Sequence, residues 1–571
     1  MRYKISYQNP QLHFLSLTCQ LDCAGETTKT LKLAAWRPGR YELQHYARNL
    51  RDFQVYDRHG NPVAFRKPDK NTWLIQTGGL DSITLHYHYY AAQPDAGGSW
   101  LDEDLLYVNF INCILWDTAR PDAPYEVTLA IPETYQIATS LPVKGHTLYA
   151  QNYMALADAP VFASSNLQHK TYQVEGVDFH IWLYGRWIPD WAKLISQFKA
   201  FTQEQLDLFG EFPAVGYHFL IWVRTVPAYH GVEHAQSTVI TLGPDEQMDT
   251  PALYDELLGI SSHELFHAWN VAKIRPAELT PYDLNKEQYF PTGAVVEGVT
   301  TYYGEYLLCR CGVFSFDRYL MELNQLFKRH MENEGRHHAS LTASSLDLWI
   351  DGYLPSAPGR KVSIYVKGAL AALLLDWTLR LATHQEKSLD TLMRKMWELY
   401  GKTGVGYTMA DYKALAEQVA GTRLDAYFSE VMEGTAPLED LIAQMAPQFG
   451  LEVQAKGPAN EWERFLGFKV QKENGIWQVA QIAPGSPAAN TLALKDEILA
   501  IDGKKVTDNM QELCKQALSK KNDVRISLVR NNCLMECVLS TDNQEYFKIL
   551  TIHQVRNTTP ETAGNFTAWL T

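Results

Sequence analysis

The chain has 571 residues, 46% hydrophobic and 20% charged. Those values suit a globular protein and exclude a largely disordered, collagenous or coiled-coil chain. Lys and Arg number 51 against 65 Asp and Glu, a net charge of −14, which speaks against general attraction to nucleic acid or anionic membrane. At roughly 150 residues per domain, the length suggests three to four domains.

The N-terminus, MRYKISYQNPQLHFLSL, shows no sustained apolar run before a small-residue cleavage site, so no signal peptide is expected. The longest apolar run, Ala369 to Leu375, is far short of the roughly 20 residues of a spanning helix. Eight cysteines are present with no C-x2-C pair, which argues against a thiolate zinc site. Reduced, structural cysteines in a cytoplasmic protein are the expectation.

Residues 1–165 read as an N-terminal β domain, sandwich-like. Alternating segments such as Thr30–Ala35, Thr72–Gln76, Ser82–Tyr89 and Tyr125–Ile131 are separated by turn text such as Pro38-Gly39 and Gly78-Gly79. From 166 to 450 the text becomes mainly helical. Helices are expected at Trp191–Phe209, Pro251–Ile274, Gly293–Arg310, Phe316–Asn333, Ser363–Leu381, Leu389–Tyr400 and Met409–Ala420, with a strand at Tyr217–Val223. Thr250 is the expected N-cap of the second helix, with Pro251 at its first position. Residues 455–541 read as a compact unit of strands and two short helices, and 542–571 as a polar tail without clear period.

The most informative residues are His263-Glu264-Leu265-Phe266-His267, an H-E-x-x-H motif on an expected helix. Histidines at i and i+4 leave one helix face about a turn apart, so two neutral imidazoles can share one Zn2+. Glu264 can then take a proton from a water that the metal acidifies. With 18 His and at most 65 Glu, chance supplies at most about 0.06 such matches. A catalytic zinc needs a third protein ligand and an open position. Glu297 is the leading candidate, because a carboxylate inside the apolar stretch from Gly293 is costly without a counter-charge. Glu305, Glu278 and Glu287 are the alternatives.

The pairing of His263-Glu264-x-x-His267 with Glu297-Gly298-x-Thr300-x-Tyr302 resembles the gluzincin metallopeptidases, and among them the glycyl aminopeptidase family. Trp36-Arg-Pro-Gly-Arg-Tyr and Ala47-Arg-Asn-Leu-Arg-Asp-Phe resemble that family's N-terminal domain. Tyr229-His-Gly-Val-Glu-His resembles its glycine-and-glutamate exopeptidase motif, and Tyr365-Val-Lys-Gly its tyrosine motif. The resemblance implies a multidomain α+β chain: the N-terminal β domain, a thermolysin-like catalytic domain and a C-terminal PDZ-like domain. It also implies a zinc-dependent aminopeptidase that releases small N-terminal residues, Gly or Ala, from peptides. In that reading Gly231, Val232 and Glu233 bind substrate, with Glu233 holding the free α-amine. Tyr365, which alone reads as a core tyrosine, stabilises the oxyanion. His230 is a weaker candidate to assist it. Val232 is a mild departure from the motif. Thr301 stands where such proteins often carry an acid behind a zinc histidine, so that partner cannot be carried over.

Arg464-Phe-Leu-Gly-Phe468 resembles a PDZ carboxylate-binding loop, with Lys495 in a later turn where glycine is common. Its backbone N–H groups could hold the C-terminal carboxylate of a peptide, with Arg464 assisting. Two rival readings remain open: an endopeptidase on the same zinc site, and a catalytically silent peptide-binding scaffold.

Overall fold

The computed structural model describes residues 1–571. It divides into two compact units: residues 1–319 with 339–436 and 570–571, and residues 320–338 with 437–569.

In the first unit, residues 1–165 build three sheets. The largest has seven strands, in the order Val143–Lys144, Thr147–Ala150, Tyr125–Leu129, Arg2–Ser6, Phe14–Asp22, Ser82–Tyr90 and Leu50–Asp57. Its two long central strands alternate strictly. Leu15, Leu17, Cys19 and Leu21 face inward opposite Tyr89, Tyr87, Leu85 and Ile83, and all eight are buried. This period of two is what one buried sheet face requires. All eight cysteines of the chain are free.

A mixed five-stranded sheet follows, in the order Gln168–Val174, Val177–Tyr184, Gly216–Val223, Ser237–Gly243 and Ala228–Glu233. The three central strands are parallel. Ala228–Glu233 lies at the sheet edge, so one row of its backbone groups faces outward. Helix Trp191–Phe209 covers one face, with Phe198 against Phe219 and Thr202 hydrogen-bonded to Tyr172.

The helices Trp191–Phe209 and Met409–Ala420 have the bounds expected from the sequence. The H-E-x-x-H helix is shorter than expected. It runs Pro251–Phe266, with Thr250 as N-cap, and His267 caps its C-terminus. The stretch expected as one helix from Gly293 opens instead with a π-helical turn, Ala294–Gly298, before the α-helix Val299–Arg310. No helix is long and apolar enough to cross a membrane.

In the second unit, five strands follow the order Phe468–Glu473, Ile476–Ile482, Glu497–Ile501, Asp523–Arg530 and Cys533–Ser540, with helix Met510–Leu518 against them. Leu466, Phe468, Val479, Ile501, Val524 and Ile526 form the core. Lys495 adopts φ +69, the left-handed conformation that glycine takes freely, at a cost of about 1 kcal/mol. The tail, read as polar and without clear period, holds a strand and a helix. Ile549–Gln554 pairs antiparallel with Leu451–Lys456, and helix Pro560–Leu570 buries Trp569 against Phe449. Its strand partner lies some hundred positions back, beyond the reach of local periodicity.

Candidate metal centre and peptide cleft

His263 and Glu264 stand on the last turn of helix Pro251–Phe266, and His267 follows directly. Glu297 comes from the π-helical turn, a feature that recurs at functional sites. The Nε2 atoms of His263 and His267 are 3.1 Å apart. Glu297 Oε2 lies 3.4 Å from His267 Nε2 and 3.9 Å from His263 Nε2. A tetrahedral ion with bonds of about 2.0–2.1 Å separates its ligand atoms by roughly 3.3 Å, so the three donors match one small cation.

The electrostatics agree. Glu297 lies against both imidazoles, and Glu233, Glu264 and His267 form a second group whose ligand atoms lie within 4.8 Å of one another. Burial pushes the Glu264 and Glu233 carboxyls up. Burial opposes charge on His267, but Glu297, Glu233 and Glu264 outweigh it and hold a proton there above the usual range. The surrounding carboxylates thus favour positive charge at this place, which suits a dication. Of the alternative ligands, Glu305 faces Gly259, a turn before His263, and neither Glu278 nor Glu287 belongs to the cluster.

Asn270 holds the centre together, and the sequence reading passed over it. His267 Nδ1 donates to the Asn270 carbonyl at 2.7 Å, which leaves Nε2 as the metal-facing lone pair. The Asn270 amide donates to the carbonyls of Val295 and Val296 and to Thr300 Oγ1, at 3.0, 3.2 and 3.1 Å. One fully buried side chain therefore ties the histidine segment to the turn that carries Glu297. The bond that orients His267 comes from the Asn270 backbone carbonyl, and the side chain holds that segment in place.

Two glycines bring the tyrosine motif into place. A Cβ on Gly368 would sit 2.8 Å from Gly298 Cα, so helix Val366–Ala382 and the Glu297 turn touch backbone to backbone. Tyr365 caps that helix's N-terminus. Burial first, then the Glu297 charge, push its phenol well above the usual range and keep its proton available for donation.

Glu233 ends the edge strand. It is 8% exposed, and its Oε1 is buried without a hydrogen bond. Glu264 Oε2 is likewise buried and unpaired. A side chain on Gly231 would strike the Glu264 carboxylate, with Cδ at 2.7 Å. The strand's alternation turns Val232 the other way, into a cluster with Tyr107, Phe162, Leu220 and Val239. The Val232 side chain is therefore a core residue, and its backbone is what the edge strand presents. His230 lies 3.9 Å from Asp95, and burial with the nearby Arg37 lowers its pKa to about 4.

The N-terminal sheets supply part of the cleft wall. Gly39, at φ +76, abuts the Glu233 carboxylate. A cavity of about 630 Å3 borders Glu233 and is lined also by Pro38, Met154, His234, Val271 and Tyr282.

In the second unit, the loop before Phe468 is partly engaged by the chain itself. Gly467 N–H bonds to the Trp462 carbonyl, and Arg464 Nε donates to Glu545 at 2.6 Å. Tyr546 N–H donates to the Arg464 carbonyl at 2.8 Å.

Residues 2–165 match the family model of the peptidase M61 N-terminal domain, 256–371 that of the M61 glycyl aminopeptidase, and 465–541 a PDZ domain. An aminopeptidase N family protein from Idiomarina loihiensis has a similar structure, with a TM-score of 0.90, 25% identity and 100% of both chains covered. An M1 zinc metallopeptidase mutant from Deinococcus radiodurans, solved with a Tyr-Ser-Ala substrate, is a distant likeness: TM-score 0.47, 14% identity, covering 76% of this chain and 94% of that one. No curated protein sequence matches the chain. The chain belongs to the M61 glycyl aminopeptidase family, and it is a metalloaminopeptidase with a PDZ domain.

Proposed function

We propose that the metal is zinc, held by His263, His267 and Glu297, and that the chain removes single residues from the free N-termini of peptides. The observation that carries this reading is the unpaired, buried Glu233 oxygen beside the His267–Glu264 group. An α-ammonium group supplies the charge and the donors that this carboxylate lacks. When bound, zinc supplies a Lewis acid that polarises the scissile carbonyl and acidifies water.

Glu264 takes the proton from the attacking water at its unpaired Oε2 and passes it to the leaving amine. Tyr365 donates its phenolic hydrogen to the oxygen of the scissile carbonyl as charge develops there. Gly231 leaves room for the peptide backbone beside Glu264. The preference for Gly or Ala follows the family description. The cavity at Glu233 holds more than a methyl group, so the residues released from a peptide library fix the preference.

Cleavage of free and N-acetylated peptides, each with and without chelator, tests the reading. Free peptides should be cut and blocked ones spared, with activity lost to the chelator. Equal rates on both would favour an endopeptidase, and no turnover by zinc-loaded protein would favour a binding scaffold. Glu264→Gln should retain zinc and lose roughly 100- to 10,000-fold in kcat. Full turnover by that variant would remove Glu264 from the chemistry.

A further inference from the structure

A second group of metal-binding side chains lies on the mixed sheet. Tyr217 points towards the H-E-x-x-H helix, where its hydroxyl donates to the Glu264 carbonyl. His218, the next residue, therefore faces the opposite side of the sheet. On that side the pairing places Thr171 across from His180, His169 across from Trp182, and His180 beside His218.

Three donor atoms lie close together there, with the His169 and His180 rings edge to edge, centroids 5.3 Å and planes 16° apart. His169 Nε2 and His180 Nδ1 are 3.1 Å apart, and Thr171 Oγ1 lies 3.3 Å from the first and 3.2 Å from the second. That triangle is closer to the roughly 3.3 Å tetrahedral spacing than the catalytic one, whose edges run from 3.1 to 3.9 Å.

Aromatic neighbours pack against both rings. His169 stacks on Trp182 with centroids 3.6 Å apart and planes 8° apart. His180 stacks on His218 at 4.4 Å, and Trp182 Nε1 fixes His218 by donating to its Nδ1 at 3.1 Å. Both donor histidines are half-buried and Thr171 is exposed, so solvent reaches the triangle.

We propose that His169, His180 and Thr171 form a second metal site, for a divalent transition ion such as Cu2+ or Zn2+. Two imidazoles and a neutral hydroxyl suit ions of intermediate softness, and water completes the coordination. The site needs each histidine to carry its proton on the far ring nitrogen, which makes no protein hydrogen bond, and the two rings to tilt from their edge-to-edge line towards a shared ion. Burial lowers the pKa of both rings. Nothing in this proposal depends on the peptidase chemistry.

Equilibrium dialysis of the full-length, zinc-loaded enzyme against Zn2+ or Cu2+ tests it, with the Cu2+ spectrum read by electron paramagnetic resonance. A second equivalent should bind, and the Cu2+ signal should show coupling to two nitrogens. His180→Gln should lose the second equivalent while keeping the first and the cleavage rate. Thr171→Val should weaken the site by less. A wild-type chain that takes up one equivalent only overturns the proposal. So does a second equivalent that survives in the folded His169→Gln/His180→Gln double variant. The wild-type spectrum needs no variant to fold, and a spectrum without two-nitrogen coupling counts equally against the site.

Discussion

Gly39 of the N-terminal sheets lies directly against the Glu233 carboxylate, close enough that a Cβ would stand 2.7 Å from its Cδ and Oε1. The edge strand presents the acid, and a turn from a different sheet closes the space beyond it. Under the proposed function, residues remote in sequence share one subsite, and the N-terminal domain takes part in deciding where a peptide must begin.

Substituting that glycine tests the arrangement. Gly39→Ala forces both a left-handed alanine, at about 1 kcal/mol, and a displaced Glu233. KM for free-amine peptides should rise several-fold and discrimination against N-acetylated peptides should fall, with zinc content unchanged. An unchanged free-to-blocked ratio, alongside a lowered Tm, would reduce Gly39 to a folding requirement.

The H-E-x-x-H pair was legible because a helix brings positions i and i+4 together whatever surrounds it. Glu297 was legible as a carboxylate that its apolar neighbours could not tolerate alone. The burial of the Val232 side chain was legible too, since the strand's period of two opposes it to Glu233. Other features depend on packing between distant segments. The backbone contact of Gly298 with Gly368, the closure by Gly39 and the pairing of Ile549–Gln554 leave no periodic trace. The π-helical turn at Glu297 is of the same kind, since a shift from i→i+4 to i→i+5 bonding is fixed by what the turn packs against. Asn270 had a signal that went unused: an amide in a run of apolar residues needs partners.

Removing the Asn270 side chain should damage the metal centre without touching a ligand. Asn270→Ala leaves two carbonyls and the Thr300 hydroxyl short of a donor in a buried place. A stability loss of about 1–3 kcal/mol is expected. Zinc affinity should fall roughly 10- to 100-fold, read by competition with a chelator. Thr300→Val, which removes one of the three bonds, should have a smaller effect on both. If Asn270→Ala loses stability but holds zinc as tightly as wild type, the residue supports the helices and not the metal.

The PDZ loop offers a test through the tail. The Arg464–Glu545 pair is partly exposed, so it is worth under about 1 kcal/mol and yields readily to a competing carboxylate. Peptides with a free C-terminus should bind the full chain weakly. Glu545→Ala should tighten that binding by up to about fivefold, the equivalent of 1 kcal/mol. C-terminally amidated peptides should gain nothing. Identical affinities for wild type and variant would mean that Glu545 does not compete for the loop.

Acid should loosen the second unit through Glu439. This residue is 8% exposed and opens the helix Leu438–Met445. Burial opposes its charge, but the hydrogen bond with His330, its own backbone N–H and the nearby Arg336 outweigh burial and hold its carboxyl at about 2. His330 Nε2 is 3.2 Å away and Arg336 Nε 3.5 Å. The folded value lies below the ordinary 4.5, so the unfolded chain binds the proton more readily. Stability from this group is complete above about pH 4.5 and is lost as pH falls towards 2. Urea denaturation between pH 5 and pH 3, followed by the burial of Trp569, should show the loss, and Glu439→Gln should flatten it. A variant with the same pH slope as wild type would assign the acid response to other carboxylates.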